Sequence, residues 1–182
     1  MNYHNITKDD MLNGEGLRVV LWISGCSHRC RGCQNPQTWD CKSGIQFDES
    51  AKKEIFDELS KDYIAGITFT GGDPLHQKNL EGVLDLVNEI RLSYPEKTIW
   101  LYTGYTLEQI MYPVVTDDFN PERDKLLKMR REIVKQCDVL VDGRYEEDKR
   151  DVAYHWAGST NQRVIDVKKT LEQGSVVLWE NQ

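Results

Sequence analysis

Three cysteines fall within eight residues, Cys26, Cys30 and Cys33, in a C-x-x-x-C-x-x-C spacing. Sulfur ligands this close in sequence are brought to one metal centre, and soft thiolates favour iron–sulfur clusters or zinc. A four-iron cluster held by only three cysteines keeps one iron without a protein ligand, and an open metal position is where a substrate binds and reacts. Zinc is the alternative, with His28 completing a purely structural Cys3His set. Zinc loops more commonly pair one C-x-x-C with a distant second pair, which weighs towards the cluster. Cys41 is read as a free thiol rather than a fourth ligand, and Cys137, just before an apolar run, as core.

At 182 residues the chain has the length of one domain with its own core. Its 30 acidic against 23 basic residues give a net charge of -7 and no basic stripe, which argues against a nucleic-acid surface. Five cysteines, an odd number, without an apolar leader suit a reducing, cytoplasmic setting, and no run approaches a membrane span.

The rest of the pattern alternates strands with helices. Residues 1–10 are polar and read as an arm along an edge. Residues 18–24 are rich in Val, Leu, Ile and Trp and form a first strand that ends just before the cysteines. Asp48 caps a helix carrying Ala51, Ile55 and Leu59, and residues 66–70 form a second strand that stops at Gly71-Gly72. Leu80, Val83, Leu84, Val87 and Ile90 mark the next helix, which ends at Tyr94-Pro95. A strand at 98–103, a short helix capped by Thr106, an acidic loop at 113–121, a helix at 122–136 and a strand at 139–142 follow. Residues 163–167 and 176–179 suggest two more strands. Alternation of this kind predicts an α/β fold with a mostly parallel sheet, whose sites lie at the C-terminal ends of the strands.

Those ends carry the remaining candidates. Gly71-Gly72 lets backbone groups approach a ligand closely, and Pro74 biases Asp73 towards an extended conformation. Asp142 reads equally as a ligand contact or a turn cap. Asn161, Gln162 and Arg163 offer several donors in a row without deciding their use. His76 and His155 stand alone and are not assigned to catalysis.

The cysteine spacing resembles that of the radical S-adenosylmethionine enzymes. Asn13-Gly14-Glu15-Gly16-Leu17-Arg18, Trp22-Ile23-Ser24-Gly25-Cys26 and Gly32-Cys33-Gln34-Asn35-Pro36 narrow the resemblance to the proteins that activate anaerobic ribonucleoside-triphosphate reductase. Thr70-Gly71-Gly72-Asp73-Pro74-Leu75-His76, Tyr102-Thr103-Gly104-Tyr105, Val139-Leu140-Val141-Asp142-Gly143 and Gly158-Ser159-Thr160-Asn161-Gln162-Arg163 extend it over nearly the whole chain. Gly32 stands where the wider superfamily usually has an aromatic residue against adenine.

The resemblance implies one radical S-adenosylmethionine domain over residues 1–182, folded as an open partial (βα) barrel. It implies a 4Fe-4S cluster on Cys26, Cys30 and Cys33. It also implies S-adenosylmethionine held by Gly32, Cys33, Gln34, Gly71, Gly72, Asp73 and Asp142, with the ligand's ammonium at the glycine turn. The implied chemistry is reductive cleavage of S-adenosylmethionine to a 5′-deoxyadenosyl radical, which generates a glycyl radical on the large catalytic subunit of the reductase. A flavodoxin-like electron donor and a homodimer come with the same resemblance. A radical enzyme acting on a small molecule and a zinc-stabilised binding module are the other readings.

Overall fold

A computed structural model describes residues 1–113 and 120–179. Its strands are β1 (Asn2–Asp10), β2 (Arg18–Ile23), β3 (Ile45–Gln46), β4 (Gly66–Gly71), β5 (Thr98–Tyr102), β6 (Val139–Asp142) and β7 (Arg163–Asp166). Its helices are α1 (Glu49–Leu59), α2 (Leu80–Ser93), α3 (Leu107–Met111), α4 (Pro121–Gln136) and α5 (Val167–Gln173). The strands form one sheet in the order β3-β1-β2-β4-β5-β6-β7. Its centre, β2-β4-β5-β6, is parallel, and β3, β1 and β7 pair antiparallel at the flanks. The expected α/β class is present, as a seven-stranded sheet with five helices among the described residues.

Successive strand residues face opposite sides of a sheet. Val19, Leu21 and Ile23 of β2, Ile67 and Phe69 of β4, Ile99 and Leu101 of β5 and Leu140 of β6 therefore share a core with the apolar sides of the helices. Trp100, Val139, Val141 and Val164 face the other way and pack with Tyr102, Trp156 and Trp179. The helices form where capping and apolar spacing agree. Asp48 accepts the Ala51 N–H at 2.9 Å, and Thr106 with Gln109 makes a reciprocal capping box. Ala51, Ile55 and Leu59 of α1 are buried, as are Val83, Leu86, Val87 and Ile90 of α2, with Leu84 partly covered.

Two expectations at the edges differ from the structure. The polar segment at the start of the chain is a strand, because β1 pairs with β2 on one side and β3 on the other and buries Tyr3 and Ile6. Residues 176–179 make no strand. Leu178 bridges Ile165, and the Trp179 N–H donates to Val164 O, so this segment is a strap along β7. The acidic loop read at 113–121 falls for the most part outside the described residues. Among the described residues, no helix is long and apolar enough to cross a membrane.

Candidate functional site

The cysteine loop leaves the end of β2 under tight backbone control. Gly25, at φ 101°, donates its N–H to Thr38 O at 2.7 Å, and Cys26 donates to Trp39 O at 3.0 Å. Gly32 turns at φ 72°, a left-handed conformation that favours glycine, and a Cβ there would displace the Glu147 carboxylate. All three cysteines of the loop are partly exposed. Burial pushes the Cys26 thiol up to about 11, against the backbone N–H groups of His28 and Arg29, which favour the thiolate. Burial also raises Cys30, opposed by the Tyr145 N–H. The Asn35 N–H points at Cys33 Sγ at 3.4 Å.

The Gly71-Gly72-Asp73 turn meets this loop directly. Ile23 and Gly71 are partners across β2 and β4, the Gly72 N–H donates to Ile23 O at 2.7 Å, and the Asp73 N–H donates to Gly25 O at 2.8 Å. A Cβ on Gly72 would lie 2.7 Å from Gly25 O and 2.9 Å from Ile23 O. The glycine is therefore needed first for the approach of two strand ends. Asp73 is 2% exposed, and its carboxylate accepts from His28 Nε2 at 2.7 Å, Thr103 Oγ1 at 3.0 Å, Gly104 N at 3.3 Å and Leu75 N at 2.8 Å. That carboxylate fastens three strand ends together.

His28 is the residue whose use the sequence did not reveal. One ring nitrogen meets Asp73, and the other accepts from Arg144 Nε at 3.2 Å. Neither nitrogen is free for zinc. Among the described residues, no three His, Cys, Asp or Glu side chains are placed to hold a single ion. Asn79 was equally hidden: its side-chain amide donates to Ser24 O at 2.8 Å and Asp73 O at 3.0 Å, bracing loop and turn from below.

The other candidates separate. Gln34 is exposed beside Cys33. Asp142 is buried, and its carboxylate accepts from the Leu107 N–H at the start of α3 and from Arg163. Gln162 braces the loop after β6, donating to Gly143 O and accepting from Gly158 N, while Asn161 donates to Arg144 O. Cys41 lines an open hollow of about 440 Å³ together with Cys26, Arg29, Trp39 and His76. Cys137 is buried, with its thiol pushed up to about 12 by burial, and is core as expected.

The donor set fits an iron–sulfur cluster: three thiols on one loop, each with a backbone N–H directed at its sulfur, the kind of contact that tunes such clusters. The comparisons agree. A family model described as a 4Fe-4S single cluster domain matches residues 12–165. The chain is 40% identical over 164 residues to a protein of Pasteurella multocida (strain Pm70), covering 89% of this chain and 95% of the relative. It is 41% identical over 164 residues to one of Enterobacteria phage T4 (90% and 93%) and 39% identical over 166 residues to one of Escherichia coli (strain K12) (90% and 97%). All three relatives are named anaerobic ribonucleoside-triphosphate reductase-activating protein. With that likeness along nearly its whole length, on a loop chemically suited to a cluster, the chain belongs to the family of anaerobic ribonucleoside-triphosphate reductase-activating proteins.

Proposed function

We propose that this protein activates an anaerobic ribonucleoside-triphosphate reductase by generating a radical on a glycine near the C-terminus of the large catalytic subunit. The observation that carries the reading is the junction of the cysteine loop with the Gly71-Gly72-Asp73 turn, made by backbone hydrogen bonds of 2.7 and 2.8 Å at the ends of adjacent parallel strands. A 4Fe-4S cluster with S-adenosylmethionine, when bound, supplies the one-electron chemistry that removes a hydrogen atom from glycine. Cys26, Cys30 and Cys33 hold the cluster; backbone N–H groups favour the thiolate at Cys26 and Cys30, and the Asn35 N–H is directed at Cys33. Gly71 and Gly72 offer backbone groups to the ligand's ammonium, Asp73 holds the turn in place for it through its carboxylate, and Gly32 and Gln34 flank Cys33 on the side of the rest of the ligand. Asp142 acts at one remove, by fixing Arg163 and the start of α3.

The sheet, in this reading, is the wall of an open partial barrel in one radical S-adenosylmethionine domain. Its inner face is the one that carries Thr68, Trp100 and Tyr102, and a glycine loop of the partner enters from the open side and excludes water. A flavodoxin-like electron donor, a cytoplasmic setting and a homodimer belong to the same proposal.

The test is electron paramagnetic resonance on the anaerobically reconstituted protein mixed with the large reductase subunit, S-adenosylmethionine and a reductant. A glycyl signal is expected with the intact subunit and absent when its C-terminal glycine is changed to alanine. Conversion of a free metabolite without that signal overturns the reading in favour of a small-molecule enzyme, and a colourless, zinc-loaded protein overturns it in favour of a structural module.

A further inference from the structure

We propose that His28 is a positioning residue that holds the cysteine loop and the Gly71-Gly72-Asp73 turn in one fixed register, as a member of a closed ring of contacts. The inference rests on the reading that the loop holds the cluster and the turn receives S-adenosylmethionine. His28 Nε2 meets Asp73 Oδ2 at 2.7 Å, with the two side chains only 7% and 2% exposed. Two residues past Asp73, Leu75 O accepts from Arg130 Nε of α4 at 3.0 Å. Arg130 Nη2 reaches the Tyr105 hydroxyl at 2.9 Å, and its guanidinium lies 4.3 Å from the centre of that ring. Tyr105 closes the circuit edge-on to His28, with ring centres 4.7 Å apart at 74°.

A contact outside the ring, from Arg144, fixes the tautomer. Arg144 can only donate, so His28 Nδ1 is the acceptor, and Nε2 carries the hydrogen given to Asp73. Gly104 packs under the imidazole so closely that a Cβ there would collide with it. A histidine between two cysteines is thus spent on the turn 45 residues away. The physical need is clear. The loop and the turn come from different strands, and a ligand spanning both is oriented only as well as their mutual position is held. A buried hydrogen bond to a carboxylate, backed by aromatic and cationic packing, is the means of holding it.

The test uses the full chain, reconstituted anaerobically, with three readouts: iron per chain, equilibrium binding of S-adenosylmethionine, and thermal unfolding of the apoprotein. His28→Leu should take up wild-type iron and weaken S-adenosylmethionine binding on the order of tenfold. His28→Gln keeps a donor within reach of Asp73 and should recover most of the affinity. Arg130→Gln touches no cysteine and should weaken the same binding by about threefold, with iron unchanged. A purely structural histidine would lower the unfolding temperature and leave affinity per folded, iron-loaded chain untouched, which overturns the proposal. Should His28→Leu fail to fold, Arg130→Gln decides alone, and normal affinity there overturns it. Wild-type protein that takes up iron but binds no S-adenosylmethionine removes the functional reading, and this inference with it.

Discussion

The Arg18 guanidinium lies 5.3 Å from the centre of the Trp100 ring, fully buried, with its five N–H groups spent on neutral oxygens. Those oxygens are the Thr68 and Thr98 hydroxyls and the carbonyls of Glu15, Ile67 and Thr98, so one side chain laces the loop before β2 to the starts of β4 and β5. Burial lowers its pKa to about 10, which leaves it charged at neutral pH. Arg18→Met would strand those acceptors in the interior, and it should cost roughly 3 kcal/mol in urea unfolding. Arg18→Lys should do little better, because an ammonium lacks the planar fork. A loss below about 1 kcal/mol for Arg18→Met would mean the acceptors find other donors.

The glycine turn makes a second prediction, in which the order of effects matters. A ligand-only role for Gly72 would let Gly72→Val keep its cluster and lose only S-adenosylmethionine. The added Cβ meets Gly25 O and Ile23 O before any ligand, so it pushes the entry of the cysteine loop away from β4. Gly72→Val should therefore lose iron and ligand binding together. Full iron with normal ligand affinity would show that this contact is easily relieved.

Cluster ligation is tested by substituting each cysteine in turn. Cys26→Ala, Cys30→Ala and Cys33→Ala should lose iron, because each sulfur sits in the one loop with backbone donors directed at it. Cys41→Ala should keep it, although Cys41 shares a hollow with Cys26. Cys137→Ala should also keep it, at a cost of about 1 to 2 kcal/mol in stability for the vacated core volume. Iron loss from Cys41→Ala would make four ligands and leave no iron open, against the proposed three-cysteine site.

What the sequence disclosed was local. Asp48 and Thr106 were legible as caps because the residues they cap lie three positions on, and β2, β4, β5 and β6 because apolar runs stop at turns. β1 was not legible: its register shifts between Tyr3 and Asn5 and again between Thr7 and Asp10, and Asp9 takes φ 53°, so the alternation of a strand is broken twice. Asn79 precedes α2 in the position of a cap yet makes no capping bond, since its side chain is used on Ser24 and Asp73. His28 read as a possible zinc ligand because its neighbours are cysteines, and Asp73 as a ligand group because of the turn. Their bond to each other spans 45 residues and follows from the strand order, which no local pattern reports.

The pairing of Glu108 with Arg163 gives a pH-dependent prediction away from the cysteines. Arg163 Nη1 and Nη2 donate to the two oxygens of Glu108 at 2.9 and 2.8 Å, while the same guanidinium also bonds Asp142. Arg163's hydrogen bonds hold the Glu108 carboxyl down at about 2, from an ordinary 4.5, and Asp142 first, then Glu108, raise Arg163 in turn. A carboxyl depressed on folding contributes stability that is fully present above its unfolded value and fades as pH falls towards the folded one. The window therefore runs from 4.5 down to about 2. Glu108 is 53% exposed, so solvent screens the pair, and Glu108→Gln should cost under about 1 kcal/mol at pH 7. The difference between wild type and Glu108→Gln should stay level down to about pH 5 and shrink by more than half by about pH 3. Added salt should shrink it at neutral pH as well. Denaturant midpoints of the apoprotein at those pH values measure it; a difference that persists unchanged at pH 3 would show that the charge on Glu108 is not its source.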